Sequence, residues 1–215
     1  MTPRPAKGRS GASRRAHRHG VDAGGRAFEE VVLQEIERSI EAKRLLARTQ
    51  TRQIASFATA TIGSLKRGGK LVLFGNGGSA ADAQHIAAEF VGRYELERRP
   101  MPAIALTTNT SSLTAISNDY GYESVFERQV RALCRPVDVV AGISTSGTSR
   151  NVILGVKAAR SIGAYTVGMT GETGGGLARC VDLAIRVPAS STSRVQECHI
   201  MIGHIVSRIV ESQTA

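Results

Sequence analysis

The feature of this sequence that most restricts its fold is an alternation. Five short, continuously apolar runs are separated by segments with helical spacing. The runs are LVLFG (71–75), PAIAL (102–106), DVVAGIS (138–144), AYTVGMT (164–170) and LAIRVP (183–188). Helical spacing fills stretches near 79–92, 123–133, 150–162 and 193–212. Strands apolar on both faces need cover on both, and alternation with helices supplies it through parallel crossovers. The expected fold class is therefore α/β, a doubly wound five-stranded parallel sheet flanked by helices. In such sheets ligands bind beyond the carboxyl ends of the strands.

Two amphipathic helices are expected before the first strand. FEEVVLQEIERSIEAKRLLA places Phe28, Val31, Val32, Ile36, Ile40 and Leu45 near one stripe, and a second helix covers Thr51 to Leu65 before Gly68-Gly69. They have little to pack on within a simple sheet domain, which makes them candidates for a subunit interface; the duller reading is cover for a sheet edge.

The net charge of +10 suggests nucleic acid until it is divided along the chain. Residues 1–26 hold seven Lys/Arg and one acid, Asp22, and so contribute +6. The remaining +4 is ordinary. This tail has almost no large apolar side chain and cannot offset its ordering entropy by burial, so it is expected to be a disordered extension. A weak contact with a phosphate backbone, or a targeting role, is the alternative. Residues 27–215 are expected to form a single domain. Three isolated cysteines, Cys134, Cys180 and Cys198, lack metal or redox spacing and suit a reduced, cytoplasmic setting. No apolar run reaches membrane-spanning length.

Each strand end carries a different chemistry. After the first, Gly75, Asn76, Gly77 and Gly78 permit close backbone approach, and Ser79 is placed to cap the following helix. The dinucleotide fingerprint G-x-G-x-x-G fails at Ala80, and no acid closes the second strand. The glycine turn alone reads equally as structure or as an anion site. The second strand end, TTNTSSLTAISNDYGYE, reads as a hydroxyl-rich loop in which Asn118-Asp119 is turn chemistry or a site contact. The third, with Ser144, Thr145, Ser146, Gly147, Thr148 and Ser149 before a helix near Arg150, is the better anion site. Its hydroxyls and free helix N–H groups suit three phosphate oxygens. The absence of lysine among them favours a small phosphomonoester over a nucleotide.

His85 and Glu89 lie four residues apart and so share one helix face. The late helix SRVQECHIMIGHIVSRIVE carries Gln196, Glu197, His199 and His204. Such groups bind a metal or pair an acid with a base. The bland reading is a core histidine beside a surface glutamate, and spacing alone does not choose between His199 and His204.

FGNGGSAADAQHIAAEF, SNDYG, ISTSGTSRNV, MTGETGG and RVQECHIMIGHI, in this order, resemble the phosphoheptose isomerases of the SIS (sugar isomerase) superfamily. The resemblance covers roughly residues 27–213. It implies an SIS-type fold and conversion of sedoheptulose 7-phosphate to glycero-manno-heptose 7-phosphate through an enediol, toward nucleotide-activated heptose. It also implies a homotetramer with active sites at subunit contacts and a zinc ion. Carried over by motif, Ser144, Thr145, Ser146 and Ser149 hold the phosphate, and Asn76, Gly77, Gly78, Asn118 and Asp119 line the sugar site. His85, Glu89, Gln196 and His204 form the catalytic or metal cluster, with Glu89 as base, His204 as acid/base partner and Gln196 also touching substrate. Ala88 stands where some members carry a second acid.

Gln196 and His204 would be about 12 Å apart along one straight helix, too far to bridge easily to one ion. Either the cluster is completed across a subunit boundary, or Gln196 precedes the regular helix. The rival function is a non-catalytic SIS-domain regulator that binds the replication initiator protein; an isomerase of another sugar phosphate is a third possibility. Retention of Glu89, Gln196 and His204 favours the enzyme.

Overall fold

The computed structural model describes residues 23–214. The expected tail lies mostly outside them, and helix α1 (Ala23–Lys66) starts four residues before the change of pattern at Ala27. Where two N-terminal helices were expected there is one. The polar stretch between them, ARTQTRQ, contains neither glycine nor proline, so nothing in it breaks the backbone ladder.

The described residues fall into two units, divided between Ile36 and Glu37. In the first, Phe28, Val31, Val32, Leu33 and Ile36 of α1 are exposed.

The second unit contains strands β1 (Leu71–Gly75), β2 (Ala103–Ala105), β3 (Val139–Ser144), β4 (Tyr165–Thr170) and β5 (Leu183–Arg186). All pair in parallel in the order β2-β1-β3-β4-β5. The helices are α2 (Gly78–Val91), α3 (Thr110–Tyr120), α4 (Val125–Leu133), α5 (Arg150–Ile162) and α6 (Thr192–Thr214), with a 3₁₀ turn at Tyr122–Ser124. Successive β1 side chains enter opposite cores. Leu71 and Leu73 join Phe57, Ile86, Phe90, Ile202 and Val206. Val72 and Phe74 join Phe126, Val130, Val152 and Val156. This double burial requires the unbroken apolar run, and each fully buried Leu or Phe stabilises the fold by about 1.5–3 kcal/mol. Phe74 stacks on Phe126 with ring centroids 4.8 Å apart, which fixes α4 to the sheet.

Residues 110–120, read above as loop, are helical. Asn109 caps α3 by accepting from the Ser112 N–H at 3.0 Å, and Leu113 and Ile116 pack against the second core. The hydroxyls that suggested a loop instead bond back along the helix, as Thr114 Oγ1 does to the Thr110 carbonyl at 2.8 Å.

Strand order reverses at β1, because α2 after β1 covers the first core while α5 after β3 covers the second. The ends of β1 and β3 therefore open side by side at a topological switch point.

Candidate active site

The glycine turn leaves β1 with Gly77 at φ +55°, and α2 starts at Gly78 with Gly77 as its cap. The expectation that Ser79 caps this helix is overturned: Ser79 is buried within the first turn. A side chain at residue 78 would collide with the amide of Gln196, so the missing Cβ lets Gln196 approach the α2 backbone closely.

Helices α2 and α6 run parallel. Gly78 meets Gln196 near their starts, a Cβ at Gly203 would strike Ile86, and His85 meets His204 farther along. His85 Nε2 and His204 Nε2 lie 3.0 Å apart, and His85 Nε2 lies 3.1 Å from Glu89 Oε1. One ligand atom from each of the three residues lies within 4.8 Å of the others. Two imidazole nitrogens facing each other cannot both present protons. The pair needs either one shared proton or a cation between the lone pairs. The donor set, two imidazoles and one carboxylate, is one that zinc accepts, and three protein ligands leave a position open for substrate. Tyr94 lies beside this cluster, its ring 5.7 Å from that of His204.

His199 is elsewhere. It is fully buried, faces the Thr170 carbonyl at 3.3 Å, and burial pulls its pKa down to about 4. It is a core histidine, which leaves His204 as the partner of His85. Gln196 lies inside α6, not before it, so the expectation that it precedes the regular helix fails. Eight residues of one helix separate Gln196 from His204, and Gln196 sits at the glycine-turn end of the site.

At the end of β3, Ser144 Oγ lies 2.9 Å from Ser149 Oγ, and Ser146 Oγ 2.8 Å from Thr148 Oγ1. Gly147, at φ +66°, turns the loop so tightly against Gly174 that a Cβ would strike its carbonyl. Ser149 caps α5 without using its side chain, so its hydroxyl does not occupy the N–H groups of Arg150 and Asn151 that open the helix toward this loop. Asn118 and Asp119 end α3, exposed and bonded to each other at 2.8 Å.

Several site neighbours escaped the sequence reading. Tyr122 donates to Asn76 at 3.0 Å, and Asn76 and Asn151 exchange two amide hydrogen bonds of 2.9 Å. Asp82, one turn before His85, has a buried Oδ2 without a partner; burial pushes its carboxyl up to about 6, against the pull of His85. Arg98 and Glu211 form a buried pair, and Arg98 also binds the carbonyls of Glu89 and Phe90. This pair joins the end of α2, which carries Glu89, to α6. Apart from Asp82, which lies one turn from His85, no local spacing marks these residues, since the partners named for them are at least eight positions away.

A family model for the SIS domain matches residues 35–171. A phosphoheptose isomerase from Roseiflexus sp. is 58% identical over 86% of this chain and 94% of its own length. One from Aquifex aeolicus is 55% identical over 80% and 91%. The structure of a phosphoheptose isomerase from Neisseria gonorrhoeae is similar with a TM-score of 0.82 at 42% identity, covering 86% of this chain and 99% of that one. The sugar isomerase domain of an RpiR transcription factor from Sphaerobacter thermophilus shares the fold at 18% identity and a TM-score of 0.62. Identity this high over almost the whole length of the relatives makes the chain a member of the phosphoheptose isomerase family of SIS-domain proteins.

Proposed function

We propose that the protein is an aldose–ketose isomerase that converts sedoheptulose 7-phosphate to D-glycero-D-manno-heptose 7-phosphate. The observation that carries this reading is the convergence of His85, Glu89 and His204 in a domain whose β3 end holds a hydroxyl-lined anion loop. Isomerisation moves a proton between C1 and C2 through an enediol and a second proton between the two oxygens. It requires a base, an acid and donors for a developing oxyanion.

Ser144, Thr145, Ser146 and Ser149, with the start of α5, hold the phosphate and so fix the distance from phosphate to reacting carbons. Asn76, Gly77, Gly78, Asn118, Asp119 and Gln196 line the sugar. Glu89 removes the proton from carbon, and His204 relays the proton between the oxygens. His85, Glu89, His204 and Gln196 are the residues that would hold zinc, which supplies Lewis-acid polarisation of the sugar oxygens when bound. The separation of Gln196 from His204 along α6 supports a cluster completed across a subunit boundary.

A homotetramer is the assembly we assign. The exposed apolar residues 28–36 of α1 support it, as does a groove lined by Leu46, Ile54, Met201, Ile205 and Ile209. Among the described residues no helix is long and apolar enough to cross a membrane; a cytoplasmic location fits a biosynthetic sugar-phosphate enzyme. The basic tail offers at most a weak nucleic-acid contact.

The test supplies sedoheptulose 7-phosphate to purified protein, with and without a chelator, and follows aldose formation. Turnover is expected without chelator. No turnover in either condition, from an intact tetramer, would favour the non-catalytic regulator.

A further inference from the structure

We infer that Tyr122 is a positioning residue that commits the Asn76 amide to donate a hydrogen bond to the sugar. The role rests on the isomerase reading above.

The orientation of both amides follows from one backbone group. The Val152 N–H can only donate, and it faces Asn151 Oδ1 at 2.9 Å, which identifies that atom as oxygen. Asn76 therefore directs Nδ2 to Asn151 Oδ1 at 2.9 Å, and Asn76 Oδ1 accepts from Asn151 Nδ2 at 2.9 Å. Tyr122 approaches the same Oδ1 at 3.0 Å and must donate to it. An amide oxygen has two acceptor positions and an amide nitrogen two donors. Both acceptor positions of Asn76 are filled, while one N–H is left. Asn76, at the end of β1, can thus offer the sugar a donor and nothing else.

A donor held in advance is what a developing enediolate oxygen requires. Without the Tyr122 hydroxyl, Asn76 Oδ1 would regain an acceptor position. It could then bond a sugar hydroxyl in the ground state, which does not help the transition state. The 3₁₀ turn bearing Tyr122 is itself secured. Glu123 pairs with Arg150, the first residue of α5, at 2.5 Å, and Phe126 beyond it is stacked on Phe74. Tyr122 is 55% exposed, so loss of its hydroxyl leaves the core intact.

The experiment is a double-mutant cycle of Tyr122→Phe and Asn76→Ala with sedoheptulose 7-phosphate, using inorganic phosphate as a competitive probe of the anion loop. Tyr122→Phe should lower kcat about fivefold, the worth of one neutral hydrogen bond. KM should hold or fall, and the phosphate inhibition constant and the thermal midpoint should stay at their wild-type values. In the Asn76→Ala background the same substitution should have no further effect, because Tyr122 acts through Asn76. A rise in KM at unchanged kcat, or an equal loss in both backgrounds, would overturn the role. An inactive wild type would instead overturn the isomerase reading on which it rests.

Discussion

His85 Nε2 and His204 Nε2 face each other at 3.0 Å across the parallel helices α2 and α6, with Glu89 Oε1 3.1 Å from His85. Three donors from two helices converge here because small residues let those helices pack closely, Gly203 against Ile86 and Gly78 against Gln196. His204→Ala should therefore reduce both bound zinc, read by elemental analysis, and turnover, the latter by roughly 10²–10⁴-fold. His199→Gln should change neither. Equal zinc content in wild type and His204→Ala would remove His204 from the metal set.

Gly78→Ala separates stability from activity. Its φ is not in the left-handed region, and the new methyl meets only the mobile end of the Gln196 side chain. The thermal midpoint should hold, since the flexible Gln196 amide can move aside from the new methyl. Turnover should fall because the Gln196 amide is displaced. A fully active variant would mean that Gln196 does not need its place beside α2.

His199 should make the protein sensitive to mild acid. Its folded pKa, lowered by burial to about 4 from 6.5, means that the unfolded chain binds the proton first. The contribution of His199 is complete above pH 6.5 and is lost as pH falls toward 4, by about 3 kcal/mol in all. Asp82 has the opposite sign, since its raised carboxyl favours the fold at low pH and loses that contribution as pH rises through about 6. The informative quantity is thus the difference between wild type and His199→Gln in denaturant melts at pH 7 and pH 5. The gap should move in favour of the variant at pH 5; a constant gap would rule out His199 as the source.

Glu211 accepts from the Tyr94, Glu95 and Leu96 N–H groups at 2.9, 2.7 and 2.9 Å and from Arg98 Nε at 3.2 Å. Burial raises its pKa, but these donors and Arg98 outweigh it and hold the carboxyl below its ordinary 4.5. Glu211→Gln leaves Arg98 buried without its counter-charge and should cost about 3–5 kcal/mol. The pair's stabilisation is complete above pH 4.5 and is lost as pH falls through the lower folded value. Chemical denaturation at pH 7 measures the cost; a loss below 1 kcal/mol would show that the pair does not clamp α2 to α6.

The sheet was legible because a strand buried on both faces has to be continuously apolar. Leu71 and Leu73 enter one core while Val72 and Phe74 enter the other, and that requirement is written locally. The α3 helix was not legible. Ser and Thr compete for backbone bonds in helix and loop alike, and only packing of Leu113 and Ile116 decides for helix. The hydroxyl-rich loop after β3 and the His85–Glu89 pair could be read from spacing along the chain. Tyr122, Asn151, Arg98 and Glu211 could not, because their partners lie far away in sequence.

Sequence alone determined the parallel α/β sheet and, through resemblance, the family. Periodicity and turn composition are properties of neighbouring residues, so they survive without a fold. Tertiary structure decided that His204, not His199, meets His85, that Gln196 stands at the glycine turn, and that the Asn76 amide is held as a donor. Each of these depends on the separation and rotation of two packed helices or loops, which no local pattern encodes.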